Sequence, residues 1–272
     1  MNAFKRQGRA ESEKIILLAE DHPLNQKVAL LLLERMGFDA HVAANGIKAV
    51  EAAKRVHYGA ILMDCHMPEM DGFDATREIR KHEMVVGHHV PIIAVTALAM
   101  AGDRERCLEA GMDDYITKPI DRDLLAEKLN YWMNPGLAAG NQSKVVPIFE
   151  TLVSPSEFKE DPINIGQFEE AYGAEAHELI LLFVNSTEKL VEDLHHAFEQ
   201  RDATKLARLA HEIKGSSWAV GAEEMARLAV FIEQAAGQQN WKIIHRTYSR
   251  MRHHFGELNA FVQQRLAAPA QK

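Results

Sequence analysis

The stretch Lys14-Ile15-Ile16-Leu17-Leu18-Ala19-Glu20-Asp21 decides the fold of the first half of the chain. Its continuous apolar run is typical of a strand that is buried on both faces of a parallel sheet. Two carboxylates follow directly, at the predicted carboxyl end of that strand. Apolar residues then recur at helical spacing from Leu24 to Met36, and Gly37 ends the pattern. The stretch and its continuation therefore predict a strand followed by a helix.

The same alternation repeats through the first half of the chain. Further strands are predicted at residues 40–44, 60–63, 90–95 and 114–117, and further helices begin near residues 46, 72, 99 and 121. Five such units predict a doubly wound α/β domain with a five-stranded parallel sheet, over residues 14–133. Residues 1–13 are polar and are predicted to be a flexible N-terminus.

Polar side chains stand at the carboxyl ends of four of the predicted strands: Glu20 and Asp21, Asp64, Thr96, and Lys118. Any one of these acids alone would more often be a solvated loop carboxylate, but the ends of parallel strands meet in one crevice where ligands bind. Crowded carboxylates repel one another unless a cation joins them, and an all-oxygen site suits Mg²⁺. The set predicts that Asp64 attacks a phosphoryl group, whose oxygens Lys118 and Thr96 stabilise.

Residues 134–162 interrupt the periodicity with repeated proline and glycine, and are predicted to be a linker. A flexible chain of that length would span on the order of 30 Å, enough for the crevice to reach the second half of the same molecule. Residues 163–268 then carry four narrow apolar helical stripes with short loops. They predict an all-α antiparallel four-helix bundle, with a short helix around Phe168 and Tyr172 at one end.

One histidine of the predicted bundle is placed for chemistry. His211 lies about 200° around the helix from the apolar Ile213, so it is predicted to face solvent. Ala207 lies one turn before it, and Lys214 and Gly215 lie one turn after it. A helical glycine costs about 1 kcal/mol relative to alanine, and access of a bulky reactant to the imidazole is a reason to keep it. The pattern favours a phosphoryl-carrying histidine whose anion Lys214 holds; the plainer alternative is a solvated histidine beside a lysine.

Composition excludes several classes of protein. The net charge of −8 argues against a general nucleic-acid binder, which needs a basic face. Two cysteines, Cys65 and Cys107, cannot form a disulfide framework and fit a reducing cytosol. The sequence has no run of 18 apolar residues and no P-loop. We therefore expect a cytoplasmic chain without a membrane segment and without direct nucleic-acid contact.

The first half resembles the receiver domain of two-component response regulators. The resemblance rests on Leu-Ala-Glu-Asp-His at the first strand end, Met-Asp-Cys-His-Met-Pro-Glu-Met-Asp-Gly at the third, Val-Thr-Ala at the fourth and Tyr-Ile-Thr-Lys-Pro at the fifth. It implies that Asp64 is the phosphoacceptor and that the Lys118–Pro119 bond is cis. It further implies a Mg²⁺ site made by Glu20, Asp21, Asp64 and the backbone carbonyl of His66. The phosphate-stabilising groups that it implies are Lys118, Thr96 and Ala97. Thr96 and Tyr115 would form a switch pair.

Two positions depart from the commonest receiver pattern. His22 stands where asparagine is usual, and His66 lies two residues after the phosphoacceptor. Leu98, two residues after Thr96, is apolar and cannot orient an attacking water. We therefore expect a long-lived aspartyl phosphate, suited to transfer rather than to hydrolysis.

The motif His-Glu-Ile-Lys-Gly-Ser-Ser, which begins at His211, is similar to that of histidine-containing phosphotransfer (HPt) domains. The two resemblances together imply a phosphorelay protein that takes a phosphoryl group on Asp64 and carries one on His211. They imply an upstream histidine kinase and a downstream response regulator or other receiver as partners, and no kinase activity in this chain. The alternatives are a Mg²⁺-dependent phosphohydrolase with Asp64 as nucleophile, and a receiver that acts as a docking switch with His211 silent. The chain could also be the C-terminal part of a hybrid sensor kinase.

Overall fold

The computed structural model describes residues 15–96, 103–133 and 161–267. These residues fall into two compact units, one containing residues 15–133 and the other residues 161–267. The predicted flexible N-terminus, Ala97, Leu98 and most of the predicted linker lie outside the described residues. Among the helices in the described ranges, none combines the length and the apolar character that crossing a bilayer requires.

Five strands alternate with five helices in the first unit. The strands are β1 (Ile15–Ala19), β2 (Asp39–Ala43), β3 (Ala60–Asp64), β4 (Ile92–Thr96) and β5 (Asp114–Thr117). The helices are α1 (Pro23–Arg35), α2 (Gly46–Arg55), α3 (Gly72–Val86), α4 (Asp103–Ala110) and α5 (Arg122–Met133). The strands pair in parallel in the order β2-β1-β3-β4-β5. This confirms the predicted doubly wound sheet.

The sheet separates two apolar layers, because successive side chains of a strand point to opposite faces. One layer packs against α2, α3 and α4 and includes Leu17 and Ile61. The other packs against α1 and α5 and includes Ile16 and Leu62. Burial on both faces explains why β1 and β3 are apolar along their length, and their pairing brings the residues that follow them to one edge of the sheet.

Local signals fix where the helices around that edge begin. The Asn45 side chain accepts a hydrogen bond from Lys48 N–H at 2.9 Å and caps α2. The Asp71 side chain caps α3 in the same way, accepting from Asp74 N–H at 2.8 Å. Helix α1 has Pro23 at its first turn, where a missing N–H costs nothing.

Among its described residues, the second unit consists of helices joined by short turns. It contains α6 (Ile165–Tyr172), a 3₁₀ turn (Gly173–Glu175), α7 (Ala176–Glu199), α8 (Ala203–Ala219), α9 (Glu223–Gly237) and α10 (Trp241–Ala267). Asp202 caps α8 by accepting from Lys205 N–H at 2.9 Å. Phe183, Ile213, Ile232 and Leu258, from the four long helices, are completely buried. The arrangement confirms the predicted helical bundle, and Phe168 and Tyr172 lie on the short helix that precedes it.

Candidate functional site

The structure brings the predicted acidic residues and Lys118 together at the carboxyl edge of the sheet. The ammonium of Lys118 donates to Asp64 Oδ2 and to Glu20 Oε2, at 2.6 Å in each case. Ligand oxygens of Glu20, Asp21 and Asp64 all lie within 4.8 Å of one another. Thr96 ends β4 and is buried, and its carbonyl accepts from Lys118 N–H at 2.7 Å.

This cluster holds more acidic side chains than its single lysine can keep ionised. Burial raises the pKa of the Asp64 carboxyl, but the Lys118 ammonium outweighs burial, and the pKa lies below its usual value. For Glu20 burial prevails over Lys118, and with the neighbouring Asp64 charge it raises the pKa to about 8. Burial acts to lower the pKa of Lys118, but the two carboxylates hold it above its ordinary value. The ammonium thus keeps Asp64 ionised, whereas Glu20 avoids a second buried charge by keeping its proton near neutral pH.

The donor set fits a small, hard divalent cation. All three acidic side chains offer oxygen, the ligand type that Mg²⁺ prefers, and Mg²⁺ commonly uses a few carboxylates and keeps several waters. A cation would also favour the ionised form of Glu20, which Lys118 alone does not maintain. Glu20, Asp21 and Asp64 therefore form an acidic cluster suited to Mg²⁺.

The loop after β3 is held close to Asp64. The His66 N–H donates to Asp64 Oδ1 at 3.1 Å, and the Gly72 N–H donates to the Cys65 carbonyl at 3.1 Å. Glu69 has a φ of 68°, and its side chain accepts from Asn45 Nδ2 at 2.8 Å, which ties the loop to α2. The loop is thus held both by hydrogen bonds next to Asp64 and by the contact with α2.

Other predicted residues surround this edge. The Lys118–Pro119 bond is cis, as the resemblance implied. Tyr115 is partly buried on β5, and Lys128 Nζ lies 5.6 Å from its ring centroid. Burial, reinforced by the charge of Lys118, lowers the pKa of His22 to about 4, so this imidazole is neutral beside the acids. The assignments of Thr96 and Tyr115 as a switch pair and of Ala97 as a phosphate-stabilising group stay predictions.

Replacing Gly72 with alanine is expected to disturb the phosphoacceptor directly. A Cβ at this position would collide with the backbone oxygen of Asp64, so the strand end or α3 must move. We expect a loss of about 1–3 kcal/mol of stability and slower phosphorylation of Asp64. Hydrogen exchange of β3 and the labelling rate measure the two effects. Gly256→Ala is the control, because a Cβ there meets nothing within 4 Å; equal effects in both variants would contradict the expectation.

In the second unit, His211 lies on α8 with its side chain 27% exposed. Its Nδ1 lies 2.8 Å from Glu233 Oε1, on the neighbouring helix α9. Lys214 is completely buried, and its ammonium donates to Glu233 Oε2 at 2.8 Å and lies 3.1 Å from His211 Nδ1. Gly215 is buried and Ala207 is partly exposed, on the same stretch of α8.

Glu233 decides which nitrogen of His211 can react. Burial acts to raise the pKa of Glu233, but His211 and Lys214 outweigh it and lower the pKa to about 2, so the carboxylate is ionised. An ionised carboxylate only accepts hydrogen bonds, so the short contact requires a proton on Nδ1. The neutral imidazole then carries its lone pair on Nε2. Lys214 also only donates, so its ammonium does not hydrogen-bond to a protonated Nδ1; both groups instead donate to the Glu233 carboxylate, one to each oxygen.

The position of Lys214 differs from the sequence-based expectation in one respect. Its ammonium does lie beside the imidazole, but it is buried on the Nδ1 side and bonded to Glu233. The physical reason is that a buried ammonium needs a partner of opposite charge, and the Glu233 carboxylate on α9 provides one. Its role in holding a phosphoryl group stays a prediction, as do the roles of Ala207 and Gly215.

Sequence reasoning missed Glu233, although a signal was present. His211 and Glu233 each lie eleven positions from Ala222, in the turn between α8 and α9. Residues equidistant from the turn of an antiparallel helical hairpin lie at the same level along it. An acid at that mirrored position therefore marks a partner for the histidine.

The charge on Glu233 gives a pH-dependent stability. Its pKa is about 2 in the folded protein against an ordinary 4.5, so its contribution is present above the unfolded value and is lost as pH falls toward the folded one. We expect the stability advantage of the native chain over Glu233→Gln to be full near pH 6 and to shrink as pH drops below about 4.5. Hydrogen exchange of α8 and α9 peptides in both proteins measures it. An advantage that stays constant from about pH 6 to about pH 3 would rule out the linkage.

Comparisons with known proteins identify both domains. Residues 16–130 match the family model of the response regulator receiver domain, and residues 178–267 match that of the Hpt domain. Hybrid signal transduction histidine kinase I of Dictyostelium discoideum is 48% identical over 120 residues, which are 42% of this chain and 7% of the relative. The signal transduction histidine-protein kinase BarA of Escherichia coli is 31% identical over 221 residues, 80% of this chain and 23% of BarA.

A solved receiver domain, from a sensor histidine kinase of Pseudomonas aeruginosa, is 50% identical; the match covers 44% of this chain and 98% of that one, with a TM-score of 0.42. This chain spans less than a quarter of the length of either kinase relative.

The family matches favour neither a phosphohydrolase nor a silent His211. The chain joins a response regulator receiver domain to an Hpt domain, the pair of domains that characterises a two-component phosphorelay protein.

Proposed function

We propose that the receiver domain accepts a phosphoryl group on Asp64 and that the Hpt domain carries one on His211. The observation that carries the proposal is the position of the Asp64 carboxylate, buried 2.6 Å from the Lys118 ammonium and grouped with Glu20 and Asp21. A nucleophilic carboxylate and a concentrated positive charge are the groups that a transferring phosphoryl requires.

The receiver reaction follows from the groups at that edge. An Asp64 oxygen attacks the phosphorus of a phosphohistidine or a small acyl phosphate. The new oxygen–phosphorus bond forms as the bond to the leaving nitrogen or oxygen breaks, and the leaving group departs with its electron pair. Lys118 stays beside Asp64 and offsets the charge of the phosphoryl oxygens. Mg²⁺, held by Glu20, Asp21, Asp64 and the backbone carbonyl of His66, would supply further charge neutralisation.

The Hpt reaction uses the nitrogen that Glu233 leaves with a lone pair. His211 Nε2 attacks the phosphorus of an aspartyl phosphate, the nitrogen–phosphorus bond forms, and the carboxylate leaves. The imidazole gains positive charge as this bond forms, and the Glu233 carboxylate, 2.8 Å from Nδ1, stabilises that charge. Glu233 is therefore a positioning residue, which acts through His211.

The partners follow from the same chemistry. A donor must present phosphohistidine to Asp64, and an acceptor must present a receiver aspartate to His211, or the reverse for back-transfer. We propose an upstream histidine kinase and a downstream response regulator or other receiver as these partners. A cytoplasmic location follows for a chain that exchanges phosphoryl groups with such proteins.

Labelling with acetyl phosphate tests the receiver half. With Mg²⁺ we expect a lasting phosphoryl group on the peptide that contains Asp64, seen by mass spectrometry, and none in Asp64→Asn or after chelation of the metal. Hydrolysis of many equivalents of acetyl phosphate without a lasting label would instead favour the phosphohydrolase. Label on a receiver-domain peptide other than that of Asp64 would contradict the assignment.

Replacing Glu233 with alanine is expected to slow phosphorylation of His211 by roughly 10–100-fold, as loss of an orienting partner typically does. The Nδ1–H tautomer is no longer fixed, and Lys214 loses its carboxylate. Nitrogen-15 NMR of His211 should show the proton mainly on Nδ1 in the native chain and a mixture of tautomers in the variant. Glu233→Gln should restore most of the rate, because the amide oxygen can still accept from Nδ1–H. Equal losses in both variants, with an unchanged tautomer, would refute the positioning role.

A further inference from the structure

The receiver domain has a second concave site, at the end of the sheet opposite Asp64. A pocket of about 350 Å³ lies between the C-terminal halves of α2 and α3. Residues that lead into β3 and β4, including Tyr58 and Val90, also line it. This volume is in the range of small-molecule sites in proteins. None of the residues assigned to phosphoryl transfer lines it.

The polar lining of this pocket has more basic than acidic side chains. Lys54, Arg55, His57, His82 and His88 all line it. The rings of His57 and His88 meet edge to face, with centroids 5.0 Å apart, so two imidazoles converge at one side.

Glu83, the carboxylate in the lining, already has hydrogen-bond and ion-pair partners. Glu83 Oε2 pairs with Arg80 at 2.7 Å and lies 3.2 Å from His89 Nδ1, while Oε1 accepts from Val90 N–H at 2.7 Å. Arg80, which also pairs with Asp113, offsets part of the Glu83 charge from outside the pocket. The lysine and the arginine therefore leave the pocket with a positive potential, which attracts anions.

The histidines of the pocket are not placed as a metal chelate. Among the described residues, the group of three or more metal-binding side chains with ligand atoms within 4.8 Å is the acidic cluster around Asp64. The remaining walls are apolar, and Val56, Ile79 and Val86 contribute to them. A ligand that fits both kinds of wall carries a negative charge and an apolar part.

We propose that this pocket binds a small organic anion, a phosphate-like headgroup attached to an apolar or aromatic body. The headgroup lies toward Lys54 and Arg55, and the body packs against Val86 and Ile79. The site is separate from the phosphoryl-transfer chemistry, so the two can be tested independently.

Three probes separate the features of such a ligand. Phenylphosphonate has both the anion and the ring, methylphosphonate has the anion alone, and benzyl alcohol has the ring alone. Phosphonates cannot donate a phosphoryl group, and a chelator keeps Mg²⁺ from recruiting them to Asp64. Histidine-selective NMR of the full chain reads the titration, with the signals of His57, His82 and His88 assigned by substitution.

For phenylphosphonate we expect saturating shifts confined to those three histidines, with a dissociation constant on the order of 1 mM. Methylphosphonate should bind several-fold more weakly and benzyl alcohol should not saturate. The double variant Lys54→Gln/Arg55→Gln should weaken phenylphosphonate by roughly tenfold or more. The control Lys48→Gln, on the same helix but outside the pocket, should leave it unchanged, and acetyl phosphate labelling of Asp64 should be normal in both.

Three outcomes would overturn the proposal. They are shifts that do not saturate, equal binding of all three probes, and an equal effect of the control and the double variant. Each leaves the proposed function untouched, because no readout of binding depends on Asp64 or His211.

Discussion

Replacing Lys118 with methionine is expected to destabilise the receiver domain by about 3–5 kcal/mol when divalent cations are absent, as removal of one partner from a buried ion pair does. The side chains of Lys118, Glu20 and Asp64 are 7%, 4% and 8% exposed, so solvent screens them poorly. Methionine keeps most of the apolar length of the side chain and removes the ammonium with its two hydrogen bonds. The buried Asp64 carboxylate would then lack a compensating charge beside the carboxyl group of Glu20.

Mg²⁺ should restore much of this loss, because a cation in the acidic cluster replaces the missing positive charge. Hydrogen exchange of β1, β3 and β5 in the full chain, with chelator and then with Mg²⁺, measures both effects. The control is Lys128→Met, which breaks a pair with Asp114 whose side chains are 16% and 21% exposed and should cost only about 1 kcal/mol. Equal losses in the two variants, or no response of Lys118→Met to Mg²⁺, would contradict the electrostatic account.

Replacing His211 with glutamine is expected to abolish the acid-labile phosphoryl label on the Hpt domain. Glutamine offers an amide N–H to Glu233 but no nucleophilic nitrogen, so the fold is kept and the chemistry is lost. The label on Asp64 should form at its normal rate and should persist longer, because its acceptor within the chain is missing. Quantitative phosphopeptide analysis follows both labels at once.

The chain offers a matched control for this substitution. His177 also pairs with a glutamate, at 2.6 Å from Glu169 Oε1, but its side chain is 56% exposed. His177→Gln should leave the acid-labile label intact. Loss of label in this control, or its survival in His211→Gln, would show that the histidine is misassigned.

The position of the receiver site could be predicted from the sequence because it depends on one rule of parallel sheets. Glu20, Asp64 and Lys118 are far apart in the chain, but each follows an apolar run, and parallel strands present their carboxyl ends at one edge. The hydrogen bonds from Lys118 to the two acids are what that rule led us to expect.

The contacts of His211 were harder to predict from the sequence, because contacts in a helical bundle depend on how neighbouring helices are shifted and rotated relative to one another. The helical wheel placed Lys214 on the His211 face correctly, but it could not show that the ammonium turns inward to Glu233. The wheel describes one helix, and this contact joins α8 to α9. The mirrored spacing about Ala222 supplies the missing information only once the hairpin is assumed.

The central claim is that one phosphoryl group can reside on an oxygen of Asp64 and on a nitrogen of His211. Its most direct measurement is the acid and base stability of label in the native chain after phosphorylation by acetyl phosphate or by a phosphorylated histidine kinase. Two components are predicted: a base-labile one that disappears in Asp64→Asn, and an acid-labile one that disappears in His211→Gln. A label of a single stability class that survives both substitutions would contradict the account.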